Sequence, residues 1–490
     1  MRVLGWVPLG FAGVCAIVVG AWADDGALLT LDRLRDRAEV PGESPDIDRP
    51  IELDQVTTQL LFSMSAADNA SCVRGVGDVT GDGLDEIIVG IDESGTDNVF
   101  CLSGASAGTA DVVWSLETLD GVSGGAPYGD EAVVQVSDVD GNGHDNILVG
   151  TAWGGRTAYD FDTLDGTIHW RFDTYTEPDS GWIYSLDRMS DVTGDGVPET
   201  AFGAGSDNDS LYMVDGEAAA GGQAAVVWRY PAADGVGSVR NLGDVNGDGD
   251  DDVYAAVWDN GNTFVCLDGG TALPNGHVLW SYAADAYSTG VLPDITSDGV
   301  NEALAVIWTT GGSAVRAING ATGLEVWRST EVAEYGMMVD VIDDVNSSGT
   351  PDIVVSSWEN AVIVLEGSNG TRIWKTTVGT TNGGDVWTAR GISDLNGDGI
   401  GDVVAGSFDL HAYAMSGADG EILWSYNTGN RVFSIAPVGD LDGDGSPDVV
   451  IGTQDTSNNI VVHVVSGGEG AIFADGFETG DTGAWASVNR

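Results

Sequence analysis

Lysine is all but missing from this chain. Lys375 is the only one, and basic residues total 18 against 77 aspartates and glutamates, for a formal net charge of −59 at pH 7. That balance argues against nucleic acid and anionic membrane surfaces as partners, because like charge repels both. Cations are the natural counterparts. Histidine is nearly as scarce, with five residues (His144, His169, His277, His411 and His463), and none stands at metal-ligand spacing from another. Zinc sites and histidine-dependent nucleophilic triads therefore find no support. Of four cysteines, Cys15 lies in the N-terminal apolar run, which leaves Cys72, Cys101 and Cys266. An odd number cannot form a disulfide framework; one bridge stays open, and its pairing is not readable. Helical periodicity is absent from every window of useful length, apart from a short helix compatible with residues 27–39. The acidity is not that of a disordered chain, since 42% of residues are hydrophobic and the carboxylates cluster between apolar stretches.

What is present begins with the leader "MRVLGWVPLGFAGVCAIVVGAWA", one basic residue and an apolar run ending in Ala21-Trp22-Ala23. This pattern predicts a secretory signal over residues 1–23, cleaved after Ala23, with no membrane span in the mature protein. Cys15 lacks the small-residue spacing of a lipobox. Residues 24–56 read as an acidic linker, 57–467 as the folded domain, and 468–490 as a tail ending "ADGFETGDTGAWASVNR", a candidate sorting segment. The expected location is secreted or on a bacterial cell surface.

One nine-residue acidic stretch occurs eight times, starting at Asp78, Asp138, Asp191, Asp244, Asp294, Asp344, Asp394 and Asp440, at intervals of 46 to 60 residues. A period near 50 that carries several strands marks a propeller or solenoid. Each unit also holds a Gly-containing turn followed by tryptophan: Trp114, Trp170, Trp228, Trp280, Trp327, Trp374 and Trp424. Seven tryptophans serve eight loops, and the eighth place is taken by Phe62 at the front of the chain, 16 residues before Asp78 as Trp424 is 16 before Asp440. An N-terminal segment that supplies the outermost strand of the last unit is how a circular propeller closes, whereas a solenoid needs no such exchange. The fold expected is all-β: an eight-bladed β-propeller closed by an N-terminal strand, each acidic loop joining strands A and B of its blade.

The loop chemistry points to a hard cation. Such an ion takes six or seven oxygens, and Gly at loop position 6 lets the backbone turn so that positions 1, 3, 5, 7 (by carbonyl) and 9 converge. The first two sets are Asp78, Thr80, Asp82, Leu84 and Glu86, then Asp138, Asp140, Asn142, His144 and Asn146. Next come Asp191, Thr193, Asp195, Val197 and Glu199, then Asp244, Asn246, Asp248, Asp250 and Asp252. The fifth and sixth are Asp294, Thr296, Asp298, Val300 and Glu302, then Asp344, Asn346, Ser348, Thr350 and Asp352. The last two are Asp394, Asn396, Asp398, Ile400 and Asp402, then Asp440, Asp442, Asp444, Ser446 and Asp448. An EF-hand is excluded, because position 12 is apolar in every copy where that motif needs a bidentate Glu. The alternative is an Asp-Gly turn capped by its own carboxylate. Counted by side chains, the 440 loop is the richest, and the 138 and 344 loops are the poorest. The expectation is up to eight structural Ca2+.

The loop and the strand after it resemble the FG-GAP (VCBS) repeat of integrin α-subunit propellers and many bacterial secreted proteins. The turn before each tryptophan, as in "INGATGLEVW", resembles the tryptophan-docking repeat of PQQ-like propellers. The resemblance implies a calcium-binding propeller, carries the calcium ligands onto the loop positions just named, and leaves the ligand open. Quinoprotein chemistry is disfavoured, since neither an adjacent Cys pair nor a C-x-x-C-H haem site occurs. A periplasmic assembly scaffold like the outer-membrane PQQ-like propellers is disfavoured too, because those lack the calcium loops.

A second aromatic series lies elsewhere in the repeat. Trp153, Trp258, Trp308, Trp358 and Phe408 follow each loop start by 14 or 15 residues, while Tyr184, Tyr287, Trp387 and Phe433 precede it by seven. Both sets map to the B-to-C and D-to-A connections, the rim that binds ligand in integrin-like propellers. Aromatic side chains there suit stacking on sugars or anchoring a protein partner, with inter-blade packing as the alternative. The function expected is a non-catalytic, monomeric binding or adhesion module for an extracellular glycan or protein. The competing expectation is a polysaccharide lyase or hydrolase on the same scaffold, which the abundance of carboxylates leaves open.

Overall fold

The repeat of about 50 residues has room for one four-stranded sheet, and the computed structural model contains eight such sheets, two of which gain a short fifth strand. The residues it describes are 58–92, 96–118, 131–139, 141–152, 155–174, 181–205, 209–218, 221–258, 263–270, 277–308, 314–332, 335–379, 384–454 and 459–468. The leader, the linker and all but the first residue of the tail lie outside them, as do Asp140 and Trp153. Every regular element among the described residues is a β-strand, and none of them forms a helix able to cross a membrane.

Blade 6 shows the pattern: Gly336–Ile342, Asp352–Ser357, Ala361–Leu365 and Arg372–Thr377 pair antiparallel in sequence order. The first strand of each blade packs on the first strand of the next, all the way round and back to the start, so these strands form the wall of a central channel. Second strands are buried along their whole length, as in Asp352–Ser357 and Asp402–Ser407, because neighbouring blades cover both faces. This explains their near-continuous Val, Ile and Ala content, where a one-sided sheet would alternate. Outer strands do alternate, and the docking residue is their buried position.

The ring closes through the N-terminal strand. Leu60–Ser65 pairs antiparallel with Ile460–Val465, and Phe62 faces Val464 as Trp424 faces Ala414 one blade earlier. Phe62 is fully buried. On its far side Leu60–Ser65 receives a parallel partner, Gly108–Thr109, from the C-to-D connection of blade 1. Gly222–Gln223 of blade 3 lies on Ile168–Asp173 of blade 2 in the same way.

The tryptophans lock each blade to the next. The indole N–H of Trp327 donates to the carbonyl of Gly367 at 2.9 Å, and Trp374 donates to Gly417 at 2.7 Å. Trp114, Trp228, Trp280 and Trp424 do the same to Thr163, Gly269, Gly320 and Gly467. Trp170 is the exception: it is fully buried, but its Nε1 finds no acceptor, because the long C-to-D connection of blade 3 runs along its strand instead. The ring itself demands glycine in the facing turn. At Gly370, with φ of +71°, a Cβ would lie 2.4 Å from Trp327 Cε3.

Candidate cation loops and the opposite aromatic rim

Each acidic loop is organised by its first aspartate. Asp78 accepts the backbone N–H of Gly81 and Asp82 on Oδ1, at 2.6 and 3.1 Å, and that of Gly83 on Oδ2 at 2.8 Å. Asp191, Asp244, Asp394 and Asp440 repeat this arrangement. Two positions of positive φ, one residue apart, make the turn, hence Gly81 and Gly83 at +79° and +95° on either side of Asp82. In the 294 and 344 loops, serine replaces the first of these glycines and adopts positive φ nonetheless, at Ser297 (63°) and Ser347 (60°). At position 5, Asp82 accepts the N–H of Leu84 at 3.0 Å.

Position 9 ties the loop to the rest of the blade. Asp252, Asp352, Asp402 and Asp448 each accept the N–H of loop position 2 on one oxygen, and on the other that of a turn glycine, Gly269, Gly367, Gly417 or Gly467. That glycine is close-packed on loop position 8, since a Cβ at Gly269 would sit 1.8 Å from the Asp251 carbonyl. Burial, reinforced by nearby loop carboxylates, pushes Asp252 and Asp448 up to about 7 and Asp352 and Asp402 up to about 6, against the backbone N–H groups that hold them down. Ionised together without a counter-ion, these groups oppose one another.

The donor sets fit a cation most clearly in three loops. Oxygens of Asp191, Asp195 and Glu199 approach within 4.8 Å of one another, as do those of Asp294, Asp298 and Glu302, and of Asp440, Asp442 and Asp444. Glu199 Oε1 and Glu302 Oε1 are buried and make no hydrogen bond of ordinary geometry. Burial raises both carboxyls, and the nearby hydroxyls of Thr193 and Thr296 only partly offset it. An orphaned carboxylate oxygen aimed into a cluster of carboxylates is what a bound cation would satisfy.

The two loops poorest in carboxylates receive one from outside the motif. Glu366, just before the turn glycine Gly367, accepts the Asn346 side-chain amide at 2.5 Å and the Ser348 hydroxyl at 2.9 Å. Asp162 in the equivalent place accepts the side-chain amide of Asn142. Counting ligands within nine residues underrates both loops. The signal was available one strand further on, in the residue preceding each C-to-D turn. His144 contributes its backbone, donating to Asn142 Oδ1.

On the opposite rim the second aromatic series forms an almost unbroken chain. Tyr184 packs on Trp258 (5.1 Å between centroids), Tyr287 on Trp308 (5.0 Å), Trp308 on Trp358 (5.4 Å), Trp387 on Phe408 (4.8 Å) and Phe408 on Phe433 (5.7 Å). The Trp258 indole bridges two of these pairs by donating to the Tyr287 carbonyl. Trp182 and Tyr335, each nine residues before a loop start and absent from the sequence-based set, extend the chain. Arg431 lies over Phe408 at 5.0 Å. Most of these rings are half-buried, but Tyr287 is 3% exposed and serves as packing. The indole N–H groups of Trp308, Trp358 and Trp387 are buried without an acceptor.

Other chemistry-bearing residues are accounted for locally. Lys375 pairs with Glu359 at 2.6 Å, His411 sits against Asp409, and Cys72, Cys101 and Cys266 are buried free thiols.

Residues 352–463, from the second strand of blade 6 into blade 8, match the family model of the lambda-carrageenase beta-propeller domain. No curated protein matches the sequence. Among solved structures, Sqt1 of Chaetomium thermophilum is similar at 12% identity, with a TM-score of 0.54 over 83% of this chain and 98% of that one. The computationally designed protein Ika8 is similar at 12% identity and a TM-score of 0.52, over 82% of this chain and 99% of that one. At such identities these structures support the β-propeller fold and carry no information on function.

Proposed function

We propose that this protein is a calcium-stabilised, secreted propeller that binds an extracellular polysaccharide through its aromatic rim. The observation that carries this reading is the chain of half-buried indole and phenol rings on the rim away from the acidic loops. Flat aromatic faces held rigid by their neighbours bind the apolar faces of sugar rings at small entropic cost. The match to a propeller domain named for a carrageenase favours a polysaccharide over a protein ligand. In this reading the protein is a monomer and does no chemistry on the glycan.

Calcium belongs to the scaffold. Asp191, Asp195 and Glu199, and likewise Asp294, Asp298 and Glu302, would hold it, with the carbonyls of Val197 and Val300 completing each set. Its contribution when bound is charge neutralisation where the chain has packed carboxylates together. The residues themselves fix the loop by accepting its backbone N–H groups, Glu199 that of Val192 and Glu302 that of Ile295 among them.

The test is a binding screen against neutral, carboxylated and sulfated polysaccharides, each also followed for reducing ends and unsaturated products. The expected result is saturable binding of at least one polymer without turnover, weakened tenfold or more in Trp308→Ala and Trp358→Ala variants that keep the wild-type circular dichroism. Turnover would replace the binding module with an enzyme, and binding unaffected by both substitutions would move the site off the rim.

A further inference from the structure

Loop positions 3 and 9 vary together. Threonine at 3 accompanies glutamate at 9 in the 78, 191 and 294 loops, and in the other five loops Asp or Asn holds both positions. The exchange adds a methylene on one side of the loop and shortens the reach on the other. Its effect is on which oxygens stay unused.

In the 244, 344, 394 and 440 loops both oxygens of the position-9 aspartate are taken by backbone N–H groups, as Asp448 takes those of Leu441 at 2.8 Å and Gly467 at 3.1 Å. Position 3 is engaged as well: Asn246, Asn346, Asn396 and Asp442 each accept the N–H of loop position 5. The longer glutamate commits one oxygen only. Glu199 Oε2 accepts the Val192 N–H at 2.6 Å and Glu302 Oε2 that of Ile295 at 2.8 Å. Oε1 of each is left buried in a fully buried residue, without a hydrogen bond of ordinary geometry. Both carboxyls stand within 4.8 Å of two further loop carboxylates, Asp191 and Asp195 or Asp294 and Asp298. In the third loop of this kind Glu86 Oε1 accepts the Thr80 hydroxyl at 3.1 Å, so no oxygen is left over.

A buried carboxylate oxygen without a donor is costly, and a hard cation is the partner that removes the cost. In the aspartate loops N–H donors already do so, and an ion gains less there. We propose that the 191 and 294 loops are the tightest calcium sites of the chain, with Glu199 and Glu302 as direct ligands through Oε1. The position-9 aspartates of the other loops act first as clamps on the backbone. This ranking rests on the calcium reading of the scaffold, and it reverses the order given by counting carboxylates, which puts the 440 loop first.

Calcium bound per chain, measured as chelator buffers lower the free calcium around the calcium-loaded protein, tests the ranking. The expected result is two equivalents that leave last, at free calcium at least tenfold below the rest. Thr193→Asn/Glu199→Asp and Thr296→Asn/Glu302→Asp keep the carboxylate count and install the pairing that other loops already use, and each should remove one of the two. Asp195→Asn, at an exposed position, should remove one as well and covers the case of a swap that does not fold. Asp444→Asn, the same change in the 440 loop, should leave both. A single class of sites, or two tight equivalents that survive Asp195→Asn or the swaps that fold, overturns the ranking and leaves calcium binding standing. Loss of a tight equivalent in Asp444→Asn overturns it too. No saturable calcium binding at all overturns the calcium reading and the ranking together.

Discussion

The turn glycines offer a controlled comparison, because the chain holds glycine at nearly the same φ in two different surroundings. Gly370 (φ +71°) faces the Trp327 ring, with Cε3, Cζ3 and Cδ2 at 2.4, 2.7 and 3.0 Å from a built Cβ, whereas Gly397 (φ +78°) has nothing within 4 Å. Alanine at Gly397 meets only the left-handed backbone penalty, about 1–2 kcal/mol. Ser297 and Ser347 already occupy that loop position in other blades, which shows that the backbone accepts a side chain there. Alanine at Gly370 adds displacement of the indole, about 1–3 kcal/mol for overpacking, and about 1 kcal/mol for stretching the Trp327 bond to Gly367. Gly370→Ala is therefore expected to lose about 2–4 kcal/mol more than Gly397→Ala, read from urea midpoints at fixed calcium. In a Trp327→Leu background that excess should vanish, since the ring that causes it is gone. Equal losses in the two variants, or an excess that survives removal of the ring, would refute the docking account.

Further outcomes follow from other parts of the ring. Phe62→Ala should cost about 3–5 kcal/mol in urea unfolding and expose the N-terminal strand to protease; a loss no larger than that of the half-exposed Leu60→Ala would count against closure by that strand. Chelation with EDTA should lower the melting temperature by something on the order of tens of degrees if several loops hold calcium, and an unchanged melt sinks the metal reading. His463, 4% exposed and with a buried Nε2 that has no partner, is held by burial down at about 4. Below pH 6.5 the unfolded chain binds a proton that the folded chain refuses, so this residue's contribution is complete above 6.5 and is lost as pH falls through 4. His463→Phe should remove about 3 kcal/mol of acid destabilisation between those limits; parallel wild-type and variant profiles would refute the assignment.

The parts of the fold that were legible are those written once per repeat. Asp at loop position 1 marks where strand A ends, and the apolar positions from 10 onward mark strand B, because both are fixed by local backbone demands. Phe62 gave the closure away by standing at the spacing of a docking tryptophan. Contacts made outside the nine-residue motif were harder to read. Glu366 and Asp162 reach the loops of their own blades from the end of the third strand, some twenty residues after the loop start. Arg74, Arg240 and Arg390 stand four residues before a loop start and line the channel, but Asp187 and Asp340 hold the same register in their own blades, so no consensus residue marks the position. Gly108–Thr109 is too short and too glycine-rich to read as a strand at all. The rim shows a subtler gap: Tyr287 sits in the aromatic register yet is packed away, and only burial separates it from Trp308 and Trp358.

Closure by the first strand also sets a timetable for the chain. Leu60–Ser65 is made before any blade, yet its partner on one edge ends at Val465. Its other partner, Gly108–Thr109, arrives early but offers only two residues of pairing. No truncated product that stops short of Ile460 can seal the ring, however many complete blades it holds. A chain synthesised from its N-terminus thus carries an unmated strand almost to the end, and the step that finishes the molecule is a contact spanning about 400 residues, the slowest kind to form.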